Sequence, residues 1–151
     1  GIVASMQPIH ATSDRDLADR YWGPARVKRA YPWRTFLRGG AVLAFGSDAP
    51  VEPIDPLIGI HAAVARRRPG DADAWTPAEK LTLDEALAGY AKGAAYALNG
   101  EREWGTLAEG MRCDATVLDR DLATLSEAEL LQARITGTIT GGVVRHADGL
   151  A

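Results

Sequence analysis

An aspartate and a histidine, residue types that can bind a metal ion or carry a proton, each follow a short, mostly apolar stretch. Asp48 follows residues 41–45 and a glycine, and His10 follows residues 2–6. Five apolar residues are too few for a helix, and the flanking glycines favour a buried strand at 41–45. Ligands bind beyond the carboxyl ends of parallel strands. Asp48 is therefore a candidate for catalysis or metal binding, and His10 takes the same position after its own strand.

Both residues also have structural interpretations. Aspartate is favoured in turns and at helix caps, so the position of Asp48 alone leaves both interpretations open. A lone histidine after a strand is more often structural than a ligand, and His10 needs a partner acid nearby in space to act chemically.

The segment between His10 and Asp48 predicts the helices and the strand that must position these two residues. Gly23-Pro24 and Pro32 divide it into predicted helices at residues 14–21, 25–31 and 33–38, and Gly39-Gly40 releases the chain into the second strand. A connection of this length can cross over between parallel strands. The pattern therefore predicts two parallel strands with Asp48 and His10 at matching ends.

Helices are predicted to follow the second strand. Asp55 caps a helix that Pro56 begins, with His61 expected to pack beside the apolar stripe and the basic run 66–68 expected to complement the helix dipole. Capping boxes are predicted at residues 75–79 and 82–85, and the later helix continues to Asn99-Gly100. Small residues at the centre of that helix suit close packing: Gly89, Gly93, Ala94 and Ala95.

From residue 101 onward the sequence predicts short strands, at 104–107, 113–118, 134–140 and 143–146, with a hairpin turn at Gly141-Gly142 and a short helix capped at Ser126. About fifty residues are near the lower limit for independent folding. We therefore expect this segment to pack against the rest of the chain.

Composition excludes several classes of function. The chain has 151 residues, 46% hydrophobic and 25% charged, with a net charge of −3, which fits one domain or two small lobes. This charge gives no footprint for nucleic acid, and no apolar run reaches the roughly twenty residues of a membrane span. The single cysteine, Cys113, excludes an internal disulfide and a zinc site made of several cysteines.

Several motifs together resemble a known family. They are Gly46-Ser47-Asp48-Ala49-Pro50-Val51-Glu52, the strand end at 2–8 with His10, residues 30–34, residues 93–97 and parts of 105–119 and 138–144. These stretches resemble the C-terminal part of amidohydrolase family 3, the YtcJ-like members of the metal-dependent amidohydrolase superfamily. The resemblance covers nearly the whole chain.

The resemblance implies an α/β fold. Residues 1–100 would form the C-terminal part of a (β/α)8 TIM-type barrel, contributing its last two strands and helices. Residues 101–151 would form a short β-segment of a small composite β-sandwich domain. In such a fold Asp48 would help hold the metal or its water and accept a proton from the attacking water, and His10 would contact the substrate.

The implied activity is hydrolysis of an amide-like C–N bond in a small molecule, with a divalent metal, zinc above others, as cofactor. The family's remaining ligands come from upstream strands, and the chain opens with Gly1 rather than Met. We therefore expect a chain that is inactive and binds metal weakly or not at all by itself. The expected partners are the missing N-terminal barrel part or a second copy, and the expected location is cytoplasmic.

Two other interpretations compete with this one. A serine hydrolase using Ser47 would need a glycine-closed elbow leading into a helix, whereas Pro50 follows and no helix is predicted there. Alternatively, the chain is a non-catalytic α/β module that docks against a partner through apolar strands and helices.

Overall fold

The computed structural model describes residues 2–148, which form two small sheets surrounded by short helices. The strands are β1 (Val3–Met6), β2 (Val42–Phe45), β3 (Ala115–Leu118), β4 (Ile135–Thr140) and β5 (Val143–Ala147). The α-helices are α1 (His10–Ser13), α2 (Arg15–Trp22), α3 (Pro24–Val27), α4 (Trp33–Arg38), α5 (Pro56–Ala65), α6 (Leu83–Ala88) and α7 (Ala94–Ala97). None of these helices has the length and apolarity needed to cross a lipid bilayer.

The first sheet is the predicted parallel pair. β1 and β2 run in register from Val3 opposite Val42 to Met6 opposite Phe45. The Gly46 amide continues the ladder by donating to the Met6 carbonyl at 3.3 Å. Both strands therefore end at the same level, and the loops that follow them leave the sheet side by side.

Helices cover one face of this sheet. Leu43 and Phe45 belong to the hydrophobic core, and Ala4 and Met6 pack against it, as expected for alternate positions along a strand. β1 is less buried than β2, since its residues are half-buried or exposed. Among the described residues β1 has one strand neighbour, so its other edge remains open.

The connection between β1 and β2 folds as several short helices. Gly23, with φ of 73°, ends α2 and allows α3 to begin at Pro24. The predicted helix at 25–31 ends earlier, at Val27, and Tyr31 lies in the left-handed region with φ of 49°. The Tyr31 hydroxyl donates to Asp14 at 2.6 Å, which ties this turn back to the start of α2.

A buried cation closes the end of α5. Arg66 is fully buried, and its guanidinium lies 4.3 Å from the centre of the Trp33 ring and 5.5 Å from that of Trp75. It donates to the carbonyls of Trp75 and Tyr31 at 2.9 Å each. Burial lowers the pKa of the guanidinium to about 10. Of the basic run, Arg66 therefore acts as an internal crosslink, whereas Arg67 pairs with Glu127 at 3.2 Å.

Helix capping follows the sequence at Asp55 and at Thr82. The Asp55 side chain accepts from the Leu57 amide at 2.9 Å, and Thr82 and Glu85 form the predicted capping box at the start of α6. The predicted box at residues 75–79 is wrong. The chain there forms one 3₁₀ turn, Pro77–Glu79, because the Glu79 carboxylate accepts from the Thr35 amide at 2.9 Å instead of capping its own turn.

The last third of the chain forms a three-stranded antiparallel sheet, β3-β4-β5. Gly141 and Gly142 have φ of 59° and 76°, as the predicted hairpin requires. Short 3₁₀ turns at Leu122–Thr124 and Glu129–Gln132 precede β4, the second in place of the predicted short helix. Leu122, Leu130 and Ala133 join the same core as Leu43 and Phe45, so this segment packs against the rest of the chain as predicted.

The predicted strand at 104–107 is wrong, because this segment is a loop packed on the helix before it. A Cβ at Gly105 would lie 2.6 Å from the Ala95 Cβ, and one at Gly100 would lie 2.1 Å from the Trp104 indole nitrogen. These close approaches hold the loop against α7. The proposed boundary between residues 100 and 101 stays a prediction.

Replacing Arg66 should test the buried crosslink. We expect Arg66→Ala to lower the free energy of unfolding by about 3 kcal/mol, because several buried carbonyls lose a charged donor. Arg67→Ala removes a partly exposed ion pair and should cost at most about 1 kcal/mol. Urea unfolding followed by circular dichroism measures both changes, and equal losses would contradict the crosslink.

Candidate active site

His10 and Asp48, separated by 38 positions in the sequence, lie together at the shared end of β1 and β2. The Nε2 atom of His10 is 3.4 Å from the Oδ2 atom of Asp48. The register of the parallel pair produces this proximity, because Met6 and Phe45 end their strands opposite each other. The partner acid that His10 needs for a chemical role is therefore present.

The contact between these two side chains leaves binding capacity on both. His10 is the first residue of α1, and its Nε2 atom is buried without a hydrogen-bond partner among the described residues. The 3.4 Å approach to Asp48 does not have hydrogen-bond geometry. The Asp48 side chain is 44% exposed. A buried nitrogen without a partner next to an accessible carboxylate is suited to receiving a ligand.

The backbone at Asp48 is unusual. Its φ of 59° lies in the left-handed region, which aspartate tolerates better than most residues. The Asp48 carbonyl accepts from the amides of Val51, at 2.9 Å, and Glu52, at 3.4 Å. The turn is therefore closed by the carbonyl, and the carboxylate faces His10.

Close packing behind β2 fixes the strand that leads to Asp48. A π-helical turn, Gly89–Gly93, joins α6 to α7, and a Cβ at Gly93 would lie 1.8 Å from the Leu43 carbonyl oxygen. Gly89 is similarly close to the Phe45 ring. These contacts confirm the prediction that small residues in this helix permit close approach.

Tyr90 reaches the start of the turn from the same π-helical segment. Its hydroxyl donates to the Gly46 carbonyl at 3.4 Å, and its ring packs edge-on against Phe45. Burial, followed by the charge of Asp55, raises the pKa of Tyr90 to about 12. Tyr90 therefore remains protonated and acts as a donor. The sequence pattern around Tyr90 gives no signal of this contact.

The donors present fit part of a metal site. A zinc site takes three or four protein ligands. Between residues 2 and 148 no group of three or more histidine, cysteine, aspartate or glutamate residues could hold a metal ion. The chemistry of Asp48 and His10 suits a metal or its water, but these two groups do not complete a ligand set.

The other polar residues singled out from the sequence lie in different surroundings. Ser47 does not sit on a strand-to-helix elbow, because α5 begins only at Pro56. His61 is buried on α5, as predicted, and burial lowers its pKa. A cavity of about 500 Å³ lies beside Val42 at the start of β2, and neither Asp48 nor His10 lines it.

Comparisons with known proteins agree with this arrangement. The chain is 34% identical over 145 residues to amidohydrolase YtcJ of Bacillus subtilis (strain 168), covering 95% of this chain and 27% of that protein. It is 32% identical over 118 residues to the N-substituted formamide deformylase of Arthrobacter pascens, covering 78% of this chain and 22% of that protein. The crystal structure of a metal-dependent hydrolase from Pyrococcus horikoshii OT3 is similar with a TM-score of 0.72 and 31% identity, covering 83% of this chain and 26% of that one.

The fold thus has its counterpart among metal-dependent hydrolases. The sequence profile described as the amidohydrolase family matches residues 1–146. The chain belongs to the amidohydrolase family, as its motifs indicated. It spans about a quarter of the length of the relatives it matches.

A methyl group at Gly93 should disturb the packing of β2 against the π-helical turn. Alanine is favoured over glycine within helices by about 1 kcal/mol, but the added Cβ must displace the Leu43 carbonyl, so we expect Gly93→Ala to destabilise by about 2–3 kcal/mol. Gly39→Ala is the control, since its Cβ would meet the Phe36 carbonyl oxygen at an ordinary 3.4 Å. Chemical denaturation of both variants gives the comparison, and a Gly93→Ala protein as stable as the parent would contradict the packing.

Proposed function

We propose that this chain is the C-terminal portion of a metal-dependent amidohydrolase that cleaves an amide-like C–N bond. One observation carries the proposal. His10 and Asp48 lie 3.4 Å apart beyond the matching ends of two parallel strands, where α/β enzymes bind their ligands. The family match over residues 1–146 supports assigning this pair to a hydrolytic site.

The open surfaces of the first sheet support a place in a larger barrel. Helices pack on one face, whereas on the opposite face Val3, Ser5 and Val42 are half-buried or exposed and Ala44 is buried. Parallel sheets are normally covered on both faces, and a (β/α)8 barrel takes about 250 residues. We infer that β1 and β2 are the last two barrel strands. β5, exposed along its length, would join further strands of a small sandwich.

Asp48 and His10 would divide the chemistry of the site. A bound divalent metal, zinc above others, supplies Lewis acidity that lowers the pKa of a bound water and polarises a carbonyl. The Asp48 carboxylate would be one ligand and would accept the proton of the attacking water. The free Nε2 of His10 would hydrogen-bond the substrate and orient its carbonyl group.

The substrate class follows from the family and from one relative. N-substituted formamides, named in the Arthrobacter pascens relative, are small amides, and their C–N bond is of the kind that a carboxylate-assisted water can hydrolyse. We infer a small amide-like substrate for the complete protein. The segment that completes the barrel is the partner this chain requires, because it would carry the remaining metal ligands.

The purified chain should be inactive. We expect elemental analysis to find no stoichiometric metal, and an assay with small amides to find no turnover, because the ligand set is incomplete. Tight stoichiometric metal together with turnover would contradict this expectation.

Replacing Asp48 should remove most of the activity of a longer polypeptide, extended on its N-terminal side to the length of the relatives. There we expect Asp48→Asn to lower kcat by about 10²–10⁴-fold, since it removes the proton acceptor. Asp73→Asn, in an exposed loop, is the control. An Asp48→Asn protein with the kcat of the parent would refute the assignment.

The uncovered sheet face also favours a second candidate, a non-catalytic module that docks on a partner chain. Unpaired strand edges and exposed apolar faces promote association. We expect light scattering to find the isolated chain as dimers or larger species. A compact monomer would count against the docking module, and loss of turnover in Asp48→Asn would exclude it.

A further inference from the structure

Two side-chain contacts join α1 to the turn that follows β2. The first is the approach of His10 to Asp48 at 3.4 Å. In the second, the Ser13 hydroxyl donates to the Glu52 carboxylate at 2.6 Å. Ser13 lies one helical turn after His10 on α1. Glu52 ends the turn that begins at Asp48, and its amide donates to the Asp48 carbonyl at 3.4 Å, so both pairs join α1 to the same turn.

From this geometry we propose that Ser13 and Glu52 are positioning residues that hold Asp48 opposite His10. The inference rests on the proposed role of Asp48 in hydrolysis. Ser13 and Glu52 themselves do not contact the reacting atoms. They act by fixing the position of the Asp48 carboxylate.

Beyond the two amides that donate to the Asp48 carbonyl and the Tyr90 bond at Gly46, the turn at Asp48 has few other restraints among the described residues. The His10–Asp48 approach is not a hydrogen bond, and the left-handed backbone of Asp48 persists only where its surroundings hold it. Packing gives little help, because Val51 is 73% exposed and Ile54 is 79% exposed. The short, charge-assisted bond to Ser13 is therefore the main side-chain anchor of the turn.

The α1 side of the gap is firmly held. The Thr12 hydroxyl donates to the Ile9 carbonyl at 2.8 Å, and Ala11 is buried. The side chain of Arg68, three residues after the end of α5, donates to the carbonyls of Thr12 at 2.8 Å and Ser13 at 3.3 Å. Loss of the Ser13–Glu52 bond should therefore release the turn and leave α1 in place.

Hydrogen exchange on the chain itself measures this release. We expect Ser13→Ala to accelerate exchange of the Val51 amide, which donates to the Asp48 carbonyl, by about tenfold, and to leave the amides of β2 unchanged. Ser13→Thr keeps the hydroxyl and should restore slow exchange. The matched control is Ser126→Ala, which removes an exposed serine–glutamate bond of the same 2.6 Å length, to Glu129.

Kinetics of the N-terminally extended polypeptide separate positioning from folding. Displacement of a catalytic group by about 1 Å can cost up to 10²-fold in rate, so we expect Ser13→Ala to lower kcat about tenfold with KM little changed. Ser13→Thr should recover kcat, and Ser126→Ala should keep it. Glu52→Ala should match Ser13→Ala, because either change removes the same bond.

Each outcome supports or overturns the positioning role of Ser13 and Glu52. Faster exchange at Val51 with lower kcat, both restored by Ser13→Thr, supports the positioning role. Unchanged exchange in Ser13→Ala overturns it, and so does faster exchange with kcat intact, since the position of the turn would then not matter. If Asp48→Asn retains full kcat, the proposed function fails and the positioning role fails with it, whereas a failure of positioning alone leaves the Asp48→Asn loss in place.

Discussion

The in-register parallel pairing of β1 and β2 is the constraint from which the rest of this chain follows. Met6 and Phe45 stop their strands at the same level, so the two following segments must emerge together. A one-residue shift would turn Phe45 away from the core and its Tyr90 neighbour. The π-helical turn enforces the register from behind, because Gly93 admits the Leu43 carbonyl where any other residue would place a side chain.

Sequence patterns predicted those elements that are determined locally. The strands at 2–6 and 41–45, the Asp55 and Thr82 caps and the Gly141-Gly142 hairpin depend on residues within a few positions of each other. Predictions failed where a distant partner decided the outcome. Glu79 has the spacing of a capping residue, yet its carboxylate binds Thr35, 44 positions away. Gly105 lies in a strand-like stretch, yet it packs on Ala95.

The candidate site divides in the same way. Asp48 and His10 could be identified from their positions after apolar runs, and the parallel crossover placed them at one end of the sheet. Ser13, Glu52 and Tyr90 could not be identified, because hydroxyl and carboxylate groups have many possible partners and their pairing depends on tertiary geometry. For Arg66 the sequence predicted a role, but the structure gives it a different one. The basic run was predicted to complement the helix dipole, whereas two tryptophans and several carbonyls form a site that desolvates its first arginine completely.

The turn after Asp48 carries two apolar side chains, Val51 and Ile54, that contribute little to the core. Substitutions there change the surface beside the Asp48 carboxylate without altering the packing on which folding depends. Such a segment can accept mutations freely while the strand, its register and the acid stay the same. The separation of a rigid strand end from an unpacked turn thus gives this scaffold room to diversify.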